Sequence, residues 1–120
     1  MQPIDLNQKL ALFQDHWNPR VIARLNGQAV KLVKFAGEFV WHKHDHEDEL
    51  FMVLDGTMRM EFRDRAETVG PGQIIVVPRG VEHRPCAVGG VCSVMLFEPE
   101  STLNTGDAAD ARRRDTLESI

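Results

Sequence analysis

Three of the chain's five histidines fall within nine residues, Trp41-His42-Lys43-His44-Asp45-His46-Glu47-Asp48-Glu49, beside four carboxylates. A fourth, His83, follows Pro78-Arg79-Gly80-Val81-Glu82. Imidazole nitrogens and carboxylate oxygens gathered this way suit a divalent ion of the Zn, Ni, Fe or Mn kind. Taken alone, Asp45 to Asp48 is equally well a solvated acidic turn, and an isolated His83 would mean little. The elements that carry these residues must decide between the two.

The stretch Phe39 to His44 has the pattern of a strand. Side chains two apart on a strand share a face, so His42 and His44 project together, as would His46, while Trp41 and Lys43 face outward. Glu49 opens the next strand, Leu50 to Leu54, and pairing across the loop Asp45 to Asp48 lets it reach back to the imidazoles. The turn Pro78-Arg79-Gly80 can aim His83 at the same point from another strand pair. Three neutral imidazoles and a carboxylate leave one or two coordination positions open for water or substrate, as in a reactive site.

The rest of the chain supplies strands. Val21 to Leu25, Asn26-Gly27 and Gln28 to Phe35 spell a hairpin, since Asn-Gly readily takes positive φ. Met58, Met60 and Phe62 alternate with polar residues after Asp55-Gly56, which predicts a half-buried strand. Glu67 to Val69, the apolar Ile74 to Val77, and Val91 to Phe97 complete about eight short strands. Frequent Gly and Pro turns between them argue for an all-β sandwich or barrel of antiparallel sheets.

Ahead of the barrel, Asp5 and Gln8 form a capping-box pattern, and Leu6, Leu10, Phe13 and Trp17 make one helical stripe ended by Pro19. The expected organisation is a short N-terminal helix packing on the barrel within 1–20, a barrel over 21–99, and a C-terminal arm or tail over 100–120. Whether that last segment lies over the barrel, over a partner subunit, or free is left open.

At 120 residues, 42% hydrophobic and 27% charged, the composition is that of one soluble domain. The net charge of -4 gives no basis for binding nucleic acid or a membrane surface. No apolar run approaches a membrane span and the start lacks a signal-peptide pattern, so a cytoplasmic location is the expectation. Cys86 and Cys92 match no disulfide framework or metal motif and are expected as buried small hydrophobes.

The two motifs together resemble the cupin superfamily, small double-stranded β-helix or jelly-roll proteins. His42-Lys43-His44, four residues, Glu49, six residues and Gly56 match its first motif, with Gly37 one position closer to His42 than usual. Gly72, Pro78, Gly80 and His83 match its second, although Ala87 stands where an asparagine is common. The resemblance spans Gly37 to His83 and implies His42, His44, Glu49 and His83 as metal ligands. His46 breaks the spacing to Glu49 and becomes a rim residue.

The segment Trp-His-x-His to Glu-Leu-Phe-x-Val-Leu-x-Gly is similar to that of short single-domain bacterial cupins, commonly labelled sugar-phosphate isomerase-like. The resemblance implies a metal-dependent enzyme of isomerase-like or dioxygenase-like chemistry on a small oxygen-rich substrate. The alternative is a non-catalytic binding module or sensor for a small ligand. No residue is assigned as catalytic acid or base. Similar small cupins are often homodimers, and the outward Trp41 with the N-terminal strands offers an apolar surface for one.

Overall fold

Asn26 and Gly27 both take positive φ, 52° and 72°, and turn β1 (Arg20–Leu25) into β2 (Gln28–Phe35). The computed structural model describes residues 1–120. Six more strands follow: β3 (Glu49–Asp55), β4 (Met58–Phe62), β5 (Ala66–Val69), β6 (Ile74–Val77), β7 (His83–Ala87) and β8 (Cys92–Pro99). They form a five-stranded sheet, β1-β2-β8-β3-β6, and a three-stranded sheet, β5-β4-β7, with every pairing antiparallel. The fold is an all-β jelly roll.

Inward side chains of both sheets make one core, with Val33, Phe35, Phe51, Val53 and Val94 from the larger sheet meeting Met58, Met60 and Val69 from the smaller. The alternation of buried and half-buried residues along β3 and β4 is the period-2 pattern of a strand with one face on the core. Gly56 closes the β3–β4 turn at φ 83°, and a Cβ there would lie 2.6 Å from the Val91 carbonyl oxygen. Only glycine fits that approach.

The strand count agrees with the sequence reading, but the set does not. Phe39 to His44 forms no strand. It runs beside β7 through isolated bridges, Glu38 to Cys86 and His42 to His83. The reason is Pro85: its carbonyl accepts from Phe39 N at 3.0 Å, but it has no N–H to return. The bridges also differ by one residue in register, four positions on one side against three on the other, so no regular ladder can form. Conversely β7, which the sequence leaves as a loop, is a strand. It lies at the edge of its sheet, where a proline is tolerated.

The predicted helix is also shorter than its stripe. Asp5 caps α1 (Leu6–Leu10), accepting from Gln8 N at 3.0 Å, and the helix then stops. So short a helix has little stability of its own, and tertiary bonds draw the following chain away. Trp17 N–H donates to Lys34 O and its indole Nε1–H to Ala36 O, both at 2.9 Å. Phe13 and Trp17 are therefore buried from irregular chain rather than from a helical face.

Trp41 faces outward as expected, but it is not bare. The Arg63 guanidinium lies 4.0 Å from its ring centroid and that of Arg84 5.4 Å. The exposed apolar side chains are Ile74 and Val76 on the free edge of β6, together with Leu25, Leu12 and a few others. The segment after β8 lies over its own barrel: Val21 bridges in parallel to Ser119, and Thr102 and Thr105 are buried. No helix is long and apolar enough to cross a membrane.

Candidate metal centre

His42 and His83 meet across the bridge that replaces a regular ladder. Each backbone N–H donates to the other's carbonyl, at 3.1 and 2.9 Å. This fixes the two imidazoles side by side, with ring centroids 4.3 Å apart. Gly80 N–H donates to His44 O at 2.8 Å and holds the far end of the same segment against the second-motif turn. Glu49 enters as the first residue of β3, with its register set by Val77 of β6. The four donors come from three separate stretches of chain, and all four residues are at most 4% exposed.

Backbone carbonyls orient two of the rings. Nδ1 of His42 lies 2.9 Å from Val40 O, and Nδ1 of His83 lies 2.9 Å from Val81 O. A carbonyl only accepts, so Nδ1 carries the proton in each and Nε2 presents its lone pair inward. Glu49 Oε1 lies 3.3 Å from His44 Nε2 and 3.4 Å from His83 Nε2. One ligand atom from each of His42, His44, Glu49 and His83 lies within 4.8 Å of the others.

Three of these atoms, His44 Nε2, His83 Nε2 and Glu49 Oε1, are buried without a hydrogen-bond partner. Leaving such atoms unpaired costs roughly 1–3 kcal/mol each, and a divalent cation would satisfy all of them at once. The donor set, three imidazoles and one carboxylate, fits such an ion. Donors about 2.1 Å from one ion are at most about 4.2 Å apart, so the widest pair must draw in slightly on binding.

The protonation states suit the same role. Burial, then the neighbouring His83, pushes His42 down to about 4, which keeps it neutral. Burial also works to lower His44, but the adjacent Glu49 carboxylate outweighs it and raises the group. Burial works to raise Glu49, yet the adjacent Glu98 carboxyl and the His44 and His83 imidazoles outweigh it and hold the group well below the usual carboxylate range. Glu49 is thus an anion, with a neutral His42 beside it.

A cavity of about 30 Å3 adjoins His42 and Glu49. Trp17, Phe35, Phe39 and Phe51 form much of its wall. Trp17 stacks on Phe35 and Phe39 with centroids 4.3 and 4.5 Å away, and Phe39 meets the His42 ring edge-on at 5.4 Å.

His46 is exposed and lies outside the cluster. Glu82 is committed to Arg63, and Arg84 to Glu61 and Glu38, so neither faces the centre. Phe51 reaches the cavity, whereas Val53, Met58 and Met60 pack in the core. Both cysteines are buried free thiols, and burial pushes them up, Cys92 to about 11.

Several contributors were not foreseen. Gly106, φ 55°, lies against the strand-like segment that carries His42. A Cβ there would collide with Lys43 O and stand 3.0 Å from His42 Cδ2. Asp107 accepts from Lys43 N at 2.9 Å, so the C-terminal segment braces the chain that carries His42 and His44 from behind. Lys31 and Glu98, each 2% exposed, make a buried contact of 2.7 Å next to Glu49. The only sequence signal for that pair is a lysine and a glutamate at inward parity on strands.

An antiparallel jelly roll with a His, His, Glu, His cluster in its interior is the arrangement of a cupin. The chain belongs to the cupin family: the family model for a Cupin_2 cupin domain matches residues 30–98. A cupin-2 domain protein of Shewanella frigidimarina is 48% identical, with a TM-score of 0.79 over 81% of this chain and 94% of that one. Protein NMB1881 of Neisseria meningitidis is 35% identical, with a TM-score of 0.75 over 82% of this chain and all of that one. The uncharacterized protein YdbB of Bacillus subtilis is 38% identical over 64 residues, 52% of this chain and 57% of that protein. The match thus spans little more than half of that curated relative.

Proposed function

We propose that the protein is a mononuclear metal enzyme in which His42, His44, Glu49 and His83 hold a divalent ion, of the Zn, Ni, Fe or Mn kind, beside the aromatic cavity. The observation that carries this reading is the set of buried, unpartnered donor atoms on His44, His83 and Glu49. Held by these four residues, a divalent ion would supply Lewis acidity toward an oxygen donor of a small substrate. The protein's own residues set the donors' orientation, exclude water and present the aromatic wall.

Of the two chemistries, the cavity favours oxidation over isomerisation. An isomerase needs a base within reach of the substrate proton. The acid or base groups on the cavity lining are His42 and Glu49, both assigned to the ion. A dioxygenase-like reaction needs no base at a carbon-bound proton, but it would need Fe or another redox metal in the site and a group to take the substrate's hydroxyl proton. The reading of a binding module or sensor remains as the non-catalytic form of the same site.

The test is metal analysis of protein purified without added metal, followed by oxygen uptake on diols and catechols beside an aldose–ketose panel. About one equivalent of metal with oxygen consumption supports the proposal. Less than about a tenth of an equivalent, with no thermal stabilisation by any of the four ions, removes the metal centre. Silence on both panels with metal bound favours the binding module. A homodimer and a cytoplasmic setting belong to this proposal too. Ile74 and Val76 on the free β6 edge supply the apolar surface for the dimer, and light scattering of Ile74→Lys tests it.

A further inference from the structure

We propose that the divalent cation reaches the centre through an acidic surface cleft beside His44, where Asp45, His46, Glu47 and Asp107 capture it before it passes inward. This rests on the metal-centre reading and adds the route by which that site is filled. The cleft, of about 180 Å3, lies between the loop after His44 and the turn at Gly106 and Asp107 of the C-terminal segment. It shares no lining residue with the aromatic cavity.

The donors are therefore approached from two sides, His42 and Glu49 from the cavity and His44 from the cleft. The cavity of about 30 Å3 has room for about two waters and is walled by aromatic rings. A hydrated ion arriving there would shed most of its water before meeting a donor, which is prohibitively costly. The Arg112 guanidinium over Phe39 and Trp17 is balanced by Asp110, so the pair leaves no net negative charge above that wall.

The cleft has the opposite character. It has room for several waters, and it sets the carboxylates of Asp45, Glu47 and Asp107 against one lysine, Lys43. Each carboxylate has one oxygen engaged and acceptor capacity left over. Asp45 Oδ1 lies 3.2 Å from Lys43 Nζ, Glu47 Oε2 accepts from Ser101 Oγ at 3.2 Å, and Asp107 Oδ1 accepts from Lys43 N at 2.9 Å. Like charges lining a concave mouth focus its field and raise the local concentration of counter-ions. The exposed His46 adds an imidazole at the same rim.

An acidic rim alone would be a solvated surface, and His44 makes the difference. It is 4% exposed, borders the cleft, and has its Nε2 buried without a hydrogen-bond partner, 3.3 Å from Glu49 Oε1. Backbone carbonyls pin Nδ1 of both His42 and His83. None pins that of His44, so its ring is the least restrained of the three. Turning it about its side-chain bonds lets an ion pass from the rim to Glu49.

The experiment follows the visible absorbance of Co(II), a spectroscopic stand-in for Zn, as metal-free protein takes it up in stopped flow. With Asp45→Asn, His46→Ala and Glu47→Gln combined, uptake at low salt should slow about tenfold, and release should slow alongside it, so that affinity moves far less. Added salt should slow the unaltered protein toward the variant's rate and leave the variant nearly as it is. If that variant fails to fold, Ser101→Cys carrying a bulky maleimide obstructs the cleft instead, selectively because both native thiols are buried, and labelling should slow uptake at least as much. A rate within about twofold of the unaltered protein, in variant or labelled protein that still binds a full equivalent, overturns the route and leaves the metal centre standing. Unaltered protein that takes up no Co(II) at equilibrium overturns the centre, and the route with it.

Discussion

Glu49 and Glu98 are two buried carboxyl groups set side by side on neighbouring strands, because Leu50 of β3 pairs with Phe97 of β8. Their environments drive them apart. Burial and the adjacent Glu49 charge raise Glu98 well above the usual range, while Glu49 is held well below it by Glu98 and two histidines. One carboxyl therefore keeps the negative charge and faces the His44 and His83 imidazoles. The other shares its proton and rests on Lys31.

This arrangement predicts an asymmetric cost on mutation. Lys31→Met removes the cation from a pair in which both side chains are at most 3% exposed. Breaking a buried pair costs about 3–5 kcal/mol, and since Glu98 can neutralise itself the low end is expected. Adding Glu98→Leu should restore most of that loss, because no buried carboxyl is left without its partner. Metal affinity in Glu98→Leu should fall roughly tenfold, since Glu49 loses the group that orients it. Urea unfolding and competition titration read the two effects. A double variant as unstable as Lys31→Met alone contradicts the pairing.

Ligand assignment separates by histidine. His83→Ala should abolish stoichiometric metal binding, because it removes a fully buried donor. His46→Ala should leave it unchanged, since that ring lies on the exposed loop outside the cluster. Metal content after gel filtration reads both, and the opposite pattern would show the wrong histidine chosen.

Acid should act on the metal-free protein through His42. Its folded value is about 4 against an ordinary 6.5. Between those values the unfolded chain takes up a proton that the folded chain refuses, so stability falls as pH falls through the window. From about pH 6.5 to 5 the loss is about 2 kcal/mol at 1.36 kcal/mol per unit. His44 has a raised value, so its contribution is fully present below 6.5 and does not change within the window. Glu49 is depressed below 4.5, so its contribution is lost only at lower pH. In metal-bound protein, release is expected as pH falls through about 6, because ligating imidazoles must be neutral. Full occupancy at about pH 4.5 would contradict it.

Gly106→Ala tests the brace behind His42. The added methyl meets Lys43 O and the His42 ring at a residue whose φ is already left-handed. A loss of about 2 kcal/mol in urea, with weakened metal binding, is expected. Gly27→Ala is the control: it has a similar φ, but a Cβ there meets nothing within 4 Å. It should cost stability without touching metal affinity.

The buried His, His, Glu, His cluster was legible because its signal is local. His42-x-His44, Glu49, Gly56 and the turn ending in His83 lie within two short stretches, and the spacing of the cupin motif separates His46 from them. The Asn26-Gly27 hairpin and the alternation Met58, Met60, Phe62 were legible for the same reason, since turn chemistry and side-chain parity act between near neighbours.

What only the tertiary structure decided depends on residues far apart in the chain. Pro85 denied Phe39 to His44 a ladder partner, and an edge position let His83 to Ala87 be a strand in spite of that proline. Trp17 left its helical stripe because the carbonyls of Lys34 and Ala36 offered its two N–H groups partners. Lys31, Glu98 and Gly106 carry no motif, and they matter only because β2, β8 and the C-terminal segment bring them to Glu49 and His42. Sequence spacing could specify the donors, since a strand's period is local. The wall, the brace and the buried contact of Lys31 with Glu98 arise from cross-strand register and loop placement, which the period of one strand does not encode.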